Sequence, residues 1–174
     1  MKYHRSLAAG ISGLACLAVV ALGSPFQVSS EAATAAKITS SGDGVELEYT
    51  GEDGVKSATT IPLHKAGAVR YFSAGVGLEE RTAQYPPFPL KLILVAGPKA
   101  YLSQVAVTIT DAKGTVQFQV PSEQVTGPWL YVDLPAGTYT VMASREGRAP
   151  VKGQVTVTKG GVKTLYLRWN ENAP

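Results

Sequence analysis

The feature that most constrains the fold is a pair of alternating runs in residues 129–143, W-L-Y-V-D-L-P-A-G-T-Y-T-V-M-A. Side chains alternate across a pleated strand, so a period of two predicts strands that each bury one face. The inward set is Leu130, Val132, Leu134, Tyr139, Val141 and Ala143. Pro135 and Gly137 suit a chain reversal between the runs. The stretch therefore predicts a β-hairpin with one buried face.

Similar runs continue on both sides of this stretch. They occupy residues 90–95, 102–110, 115–120, 148–158 and 162–169, with turn residues between them. No long helical period interrupts them. Several short strands at regular spacing predict an all-β fold, here an antiparallel β-sandwich.

Length and charge limit the classes of protein to which the chain can belong. Its 174 residues suit one domain with an N-terminal extension, and an apolar fraction of 45% with 17% charged residues is typical of a globular protein. The net charge is +3, and the 16 basic residues are spread singly along the chain. A nucleic-acid partner is therefore not expected.

Residues 1–33 have the pattern of a secretory signal peptide. Lys2 and Arg5 precede an apolar run, and no acidic residue occurs before Glu31. We expect a secreted, periplasmic protein with no membrane span after cleavage; an uncleaved inner-membrane anchor is the alternative. Cys16, the only cysteine, lies in this segment, so the mature chain would have no disulfide or thiol chemistry.

The rest of the chain divides into three predicted parts. Residues 34–67 form a polar extension, either a hairpin of strands at 45–49 and 55–61 or a loosely ordered leader. Residues 68–88 contain a strand and a short helix that pack on the sandwich. Residues 89–169 form the sandwich itself.

The short helix carries the first candidate site. Glu79 and Glu80 lie in its first turn, where the helix dipole stabilises negative charge, and Arg81 follows them. Charged residues at a helix start beside a glycine turn can dock a partner. A solvated helix face is the alternative.

Several motifs resemble the carboxypeptidase regulatory-like domain family. They are V-A-V-T-I-T-D-A-K-G at 105–114, L-P-A-G-T-Y-T-V at 134–141 and V-T-V at 155–157. G-V-G-L-E-E-R at 75–81 and G-P-W at 127–129 are similar to segments of small secreted bacterial proteins that carry one such domain. The resemblance implies a prealbumin-like or immunoglobulin-like sandwich and a non-catalytic accessory role. The zinc peptidase domain of true carboxypeptidases is a separate module that this sequence does not resemble.

Residues for catalysis are sparse. A zinc hydrolase needs about three protein ligands, usually with two or more histidines, and His64 is the only histidine after residue 33. A nucleophilic serine needs a base, and no G-x-S-x-G motif occurs. We therefore expect a protein that is not an enzyme and that uses no metal or cofactor, with His64 as a solvated loop residue.

A binding surface is the second candidate site. Its residues are Trp129, Tyr131, Tyr166 and Arg168, which alternate with the inward residues of their strands. If those strands adjoin, one sheet presents an aromatic surface suited to a protein or glycan. Alternatively, residues 68–88 cover this face. Residues 90–95 favour coverage, because they are apolar on both faces apart from Lys91.

These observations lead to one expected function and two alternatives. We expect a non-catalytic binding module of the cell envelope, with an envelope protein or glycan as partner. The first alternative is a structural or carrier-like domain that holds a small apolar ligand between the N-terminal segment and the sheet. A hydrolase is the third.

Overall fold

The computed structural model describes residues 35–51, 54–98 and 100–170; the predicted signal peptide lies outside them. The described strands are β1 (Ala36–Ile38), β2 (Gly44–Thr50), β3 (Lys56–Pro62), β4 (His64–Ala66), β5 (Val69–Ala74), β6 (Leu90–Ala96), β7 (Ala100–Tyr101), β8 (Ala106–Asp111), β9 (Val116–Val120), β10 (Trp129–Val132), β11 (Gly137–Arg145), β12 (Arg148–Val157) and β13 (Lys163–Trp169). A short helix, α1, spans Leu78–Thr82, and a 3₁₀ turn spans Ser122–Gln124. The predicted all-β fold class is confirmed.

The strands form three sheets. The largest has the order β13-β6-β10-β5-β4, with β7 also pairing with β6; the second has the order β12-β11-β8-β9, and the third is β1-β2-β3. The pairings among the described strands are antiparallel, except that β13 runs parallel to β6. The prediction of a purely antiparallel arrangement is therefore wrong at β13. The long chain segment between β6 and β13 supplies the crossover that parallel pairing requires.

The six-stranded and four-stranded sheets share the main core. Leu92, Leu94 and Leu130 of the first sheet belong to the same buried cluster as Ile109 and Val141 of the second. Alternation explains this packing, because every second side chain of each strand points between the sheets. All six residues of the predicted inward set belong to this buried cluster, which confirms their orientation. We call the opposite side of the six-stranded sheet its outer face.

The predicted hairpin in residues 129–143 is wrong. β10 pairs with β5 and β6 in the six-stranded sheet, whereas β11 pairs with β8 and β12 in the four-stranded sheet. The link between them passes from one sheet to the other: Leu134 is buried, and the Tyr139 hydroxyl donates a hydrogen bond to the Pro135 carbonyl oxygen at 3.0 Å. Two strands that bury one face each can belong to facing sheets as easily as to one hairpin, so periodicity did not distinguish the two arrangements.

The N-terminal part also differs from its predicted division. β2 and β3 form the hairpin that was one of the two alternatives for residues 34–67, and β1 adds a third strand. β5 does not pack on the sandwich from outside: it lies inside the six-stranded sheet, between β10 and β4. The two-sheet body therefore begins at β4 rather than at residue 89. A strand was predicted where β5 lies, but its place inside the sheet did not follow from the local pattern, because its partner β10 is distant in sequence.

Candidate functional site

The predicted surface residues of two strands lie on the outer face in one cross-strand row. Trp129 of β10 and Tyr166 of β13 are both opposite Ile93 of β6. The strands therefore do not adjoin, because β6 separates them. Neighbouring strands are about 4.8 Å apart, so the two side chains originate about 10 Å from each other.

One half of the outer face is covered. Tyr131 is 7% exposed, and its ring stacks on Phe72 with centroids 4.6 Å apart and planes at 6°. Tyr85 and Phe88 contact the Phe72 ring at centroid distances of 5.3 and 5.0 Å. Val45, Ile61 and Leu63 belong to the same buried cluster. We call this half, built around Phe72 and Tyr131, the covered half.

Of the two alternatives for this face, exposed or covered, the structure shows that Tyr131 is covered. The expectation that its ring is exposed is wrong. The predicted cover, residues 68–88, contributes Tyr85 and Phe88. The three-stranded sheet and the segment after it contribute Val45, Ile61 and Leu63, which sequence reasoning did not foresee. Burial raises the pKa of Tyr131 well above its usual range. Tyr131 is therefore a core residue of the covered half.

Trp129 and Lys91 lie at the boundary of the covered half. Trp129 is half-buried, and the Lys91 ammonium nitrogen lies 3.5 Å from its ring centroid and 5.2 Å from that of Tyr131. This is a cation–π contact, and burial lowers the pKa of Lys91. Gly75 packs closely against the Trp129 indole. It has a φ of +97°, and a Cβ at this position would lie 3.0 Å from the Trp129 ring. Trp129 is thus partly engaged by its own chain.

The other half of the outer face is open. Tyr166 is 58% exposed and Tyr101 is 52% exposed. Arg168 of β13 and Tyr101 of β7 are both opposite Val95, so they flank β6 in one row. The Arg81 guanidinium carbon lies 5.5 Å from the Tyr101 ring centroid. We call Tyr101, Tyr166, Arg81 and Arg168 the open half.

The open half contains residues from both predicted sites: Arg81 from the short helix, and Tyr166 and Arg168 from the aromatic surface. It also contains Tyr101, which neither prediction included. Sequence reasoning missed Tyr101 because β7 has only two residues and no alternation to recognise. Its pairing with β6 places it on this face, since directly opposite residues of an antiparallel pair point to the same side. Val95 lies under the row and is buried.

The charged residues of α1 have separate roles. Glu80 accepts hydrogen bonds at Oε2 from the backbone N–H groups of Gly75 (2.7 Å) and Val76 (3.0 Å). Arg81 donates from Nε to the Gly75 carbonyl oxygen at 2.9 Å. The two side chains thus hold the Gly75 peptide groups that pack against Trp129. Glu79 is exposed, and both acids lie in the first turn of α1.

His64 is less solvated than its predicted loop position implied. It is half-buried in β4, and its ring stacks on Tyr71 with centroids 5.4 Å apart. Within residues 35–51, 54–98 and 100–170, no group of three or more His, Cys, Asp or Glu residues is arranged to hold a metal ion. The ring contact explains His64 as a packing residue at the sheet edge.

A separate open groove lies at one end of the four-stranded sheet, with a volume of about 870 Å³. Its lining is polar and includes Gln104, Ser122, Glu123, Arg145 and Glu146. Gln104 has a φ of 55°, the only positive value at a described non-glycine residue. No aromatic ring lines this groove, in contrast to the open half.

The comparisons with known proteins do not identify a family for this chain. The sequence matches no family model and no curated protein. The resemblance to carboxypeptidase regulatory-like domains therefore remains an expectation based on the motifs. Within the described part of the chain, no helix has the length and apolar character needed to cross a membrane.

Proposed function

We propose that this chain is a non-catalytic binding module of the cell envelope that engages its partner through the open half of the outer face. The observation that carries the proposal is the pair of exposed rings, Tyr101 and Tyr166, on the two strands that flank β6. The Arg81 guanidinium lies beside the Tyr101 ring, and Arg168, which donates a hydrogen bond to the Gly97 carbonyl oxygen, lies across β6 from Tyr101. Tyrosine and arginine are enriched at the energetic centres of protein interfaces, and exposed rings also stack on sugars.

The proposal includes the finer fold and the location of the protein. The two packed sheets would be the prealbumin-like or immunoglobulin-like sandwich of the carboxypeptidase regulatory-like type, and residues 1–33 would direct the chain to the periplasm. The sandwich motif at 134–141 supports this assignment, because Leu134 and Tyr139 anchor the crossing between the sheets. A sandwich of this kind supplies a rigid support for a surface site.

The first alternative, a carrier of a small apolar ligand, has less support than the binding module. It needs space between the N-terminal segment and the sheet, and the rings of Phe72, Tyr85, Phe88 and Tyr131 pack there at centroid distances of 4.6 to 5.3 Å. The hydrolase has no supporting constellation on the open half, where the polar groups are two guanidinium groups and two phenols.

Photo-crosslinking in intact cells tests the binding module. A photoreactive amino acid replaces Tyr166 in the full chain, and adducts are identified by mass spectrometry. Gln154, exposed on β12 of the other sheet, is the matched control position. We expect an adduct with one envelope protein, or with glycan, from position 166 and not from position 154. Equal adducts from both positions, or none from position 166, would refute the proposed surface.

A further inference from the structure

The strands of the six-stranded sheet carry charges of one sign. Among the described residues of β4, β5, β6, β7, β10 and β13 there is no aspartate and no glutamate. The lysine and arginine residues of these strands are Lys65, Arg70, Lys91, Lys163 and Arg168. Arg70 pairs with Asp133 at 2.7 Å, and none of the others forms an ion pair with a described residue. The sheet therefore presents a positive potential that favours an anionic partner.

The two arginines of the open half are held in place by backbone oxygens. Arg81 donates from Nε to the Gly75 carbonyl oxygen at 2.9 Å, and Arg168 donates from Nη1 to the Gly97 carbonyl oxygen. Each guanidinium has further N–H groups that donate to no described residue. A guanidinium oriented in this way can bind a carboxylate through paired hydrogen bonds and loses little conformational freedom in doing so.

The two acids of α1 leave the charge of Arg81 available. Glu80 accepts hydrogen bonds from the N–H groups of Gly75 and Val76, so its carboxylate is directed to the turn before the helix. Glu79 lies two positions before Arg81, and side chains at that spacing do not face each other on a helix. Neither acid forms an ion pair with Arg81.

The spacing of the exposed rings favours a glycan over a protein. Tyr101 and Tyr166 lie on the strands that flank β6 and are offset by two residues along it. With strands about 4.8 Å apart and about 3.3 Å per residue, the two side chains originate about 12 Å apart. Ile93 and Val95, which lie between them on β6, are already buried, so this surface offers no open pocket for the apolar anchor of a protein. Two exposed phenol rings instead suit the apolar faces of sugar rings, and a short oligosaccharide spans this distance.

We propose that the partner of the open half is an acidic glycan, a chain of sugars that carry carboxylate groups. Its sugar rings stack on Tyr101 and Tyr166, and its carboxylates accept hydrogen bonds from Arg81 and Arg168. This inference rests on the proposed function and narrows the partner to one chemical class.

Calorimetric titration of the full chain with defined polymers tests the inference. Polygalacturonate is the probe, and its highly methyl-esterified form is the matched control, because the two polymers differ in carboxylate charge. The variants Arg168→Gln and Tyr166→Ala each remove one proposed contact, whereas Tyr166→Phe keeps the ring. Lys152→Gln removes the same charge as Arg168→Gln, but from an exposed position of β12 on the other sheet. Circular dichroism confirms that each variant is folded.

We expect polygalacturonate to bind at least about tenfold more tightly than the esterified polymer, because hydrogen bonds to a charged acceptor are the stronger ones. Added salt should weaken this binding. Arg168→Gln and Tyr166→Ala should each weaken it by about tenfold, whereas Tyr166→Phe and Lys152→Gln should bind as the wild type does. Equal affinity for the two polymers, no binding of polygalacturonate, or binding that neither open-half variant weakens would overturn the inference.

Two further outcomes separate this inference from the proposed function. Polyglutamate that binds as tightly as polygalacturonate, with the same loss in Tyr166→Ala, would identify an acidic protein segment as the partner and overturn the glycan. If polygalacturonate fails while position 166 still crosslinks to an envelope protein in cells, the binding module stands and only the acidic glycan is refuted. If position 166 gives no adduct, the proposed surface itself is refuted.

Discussion

The two halves of the outer face have similar residues and opposite environments. Each half contains large aromatic side chains on strands of the same sheet, yet Phe72 is fully buried and Tyr166 is 58% exposed. The difference lies in the cover. Among the described residues, the cluster around Phe72 includes members of β2, β3 and the segment after α1, and it includes none of β13. Aromatic content therefore does not distinguish core from surface on such a sheet; the segment that lies over each half does.

The largest expected effect comes from truncating one ring in each half. We expect Phe72→Ala to lower the free energy of unfolding by about 3–5 kcal/mol, since a buried ring leaves a cavity. Tyr166→Ala should change it by less than about 0.5 kcal/mol, as at other exposed sites. Urea denaturation of both variants measures the difference. Similar losses of unfolding free energy in the two variants would contradict the division of the outer face into a covered and an open half.

A smaller effect is expected where the covered half meets the open half. We expect Gly75→Ala to cost about 2 kcal/mol, because alanine is strained at a φ of +97° and its Cβ would lie 3.0 Å from the Trp129 ring. Gly147→Ala is the control for strain alone, since Gly147 has a φ of +72° and no atom within 4 Å of such a Cβ. It should cost about 1 kcal/mol. Equal losses in thermal denaturation would show that the contact with Trp129 contributes nothing.

The smallest effect concerns the hydroxyl of Tyr85 in the covered half. This oxygen is buried and has no hydrogen-bond partner among the described residues. Tyr85→Phe should therefore leave the free energy of unfolding unchanged or raise it by up to about 1 kcal/mol. Tyr71→Phe is the matched control: it removes a hydrogen bond from the Tyr71 hydroxyl to the Gln124 side chain and should cost about 1 kcal/mol. A loss in Tyr85→Phe as large as in Tyr71→Phe would refute this distinction.

Sequence reasoning succeeded where a property depends on neighbours along the chain. Alternation placed Leu130, Tyr139 and Val141 in the core, and the position of Glu79 and Glu80 in the first turn of α1 followed from local sequence. It failed where the partner is distant. β10 and β11 were assigned to one hairpin, and they belong to opposite sheets.

The candidate site shows the same division. Trp129, Tyr166 and Arg168 were placed on the outer face from alternation alone. The addition of Tyr101 and the loss of Tyr131 required the tertiary structure, because both depend on which segment pairs with β6 or lies over β10.

By itself, the sequence determined the longer strands, the inward face of those that alternate and the all-β class, because side-chain direction in a strand follows from position along the chain. The tertiary structure decided which strands share a sheet and which half of the outer face is covered. Those outcomes depend on pairings between segments far apart in sequence. One alternating pattern satisfies several such pairings equally well until the whole chain is packed.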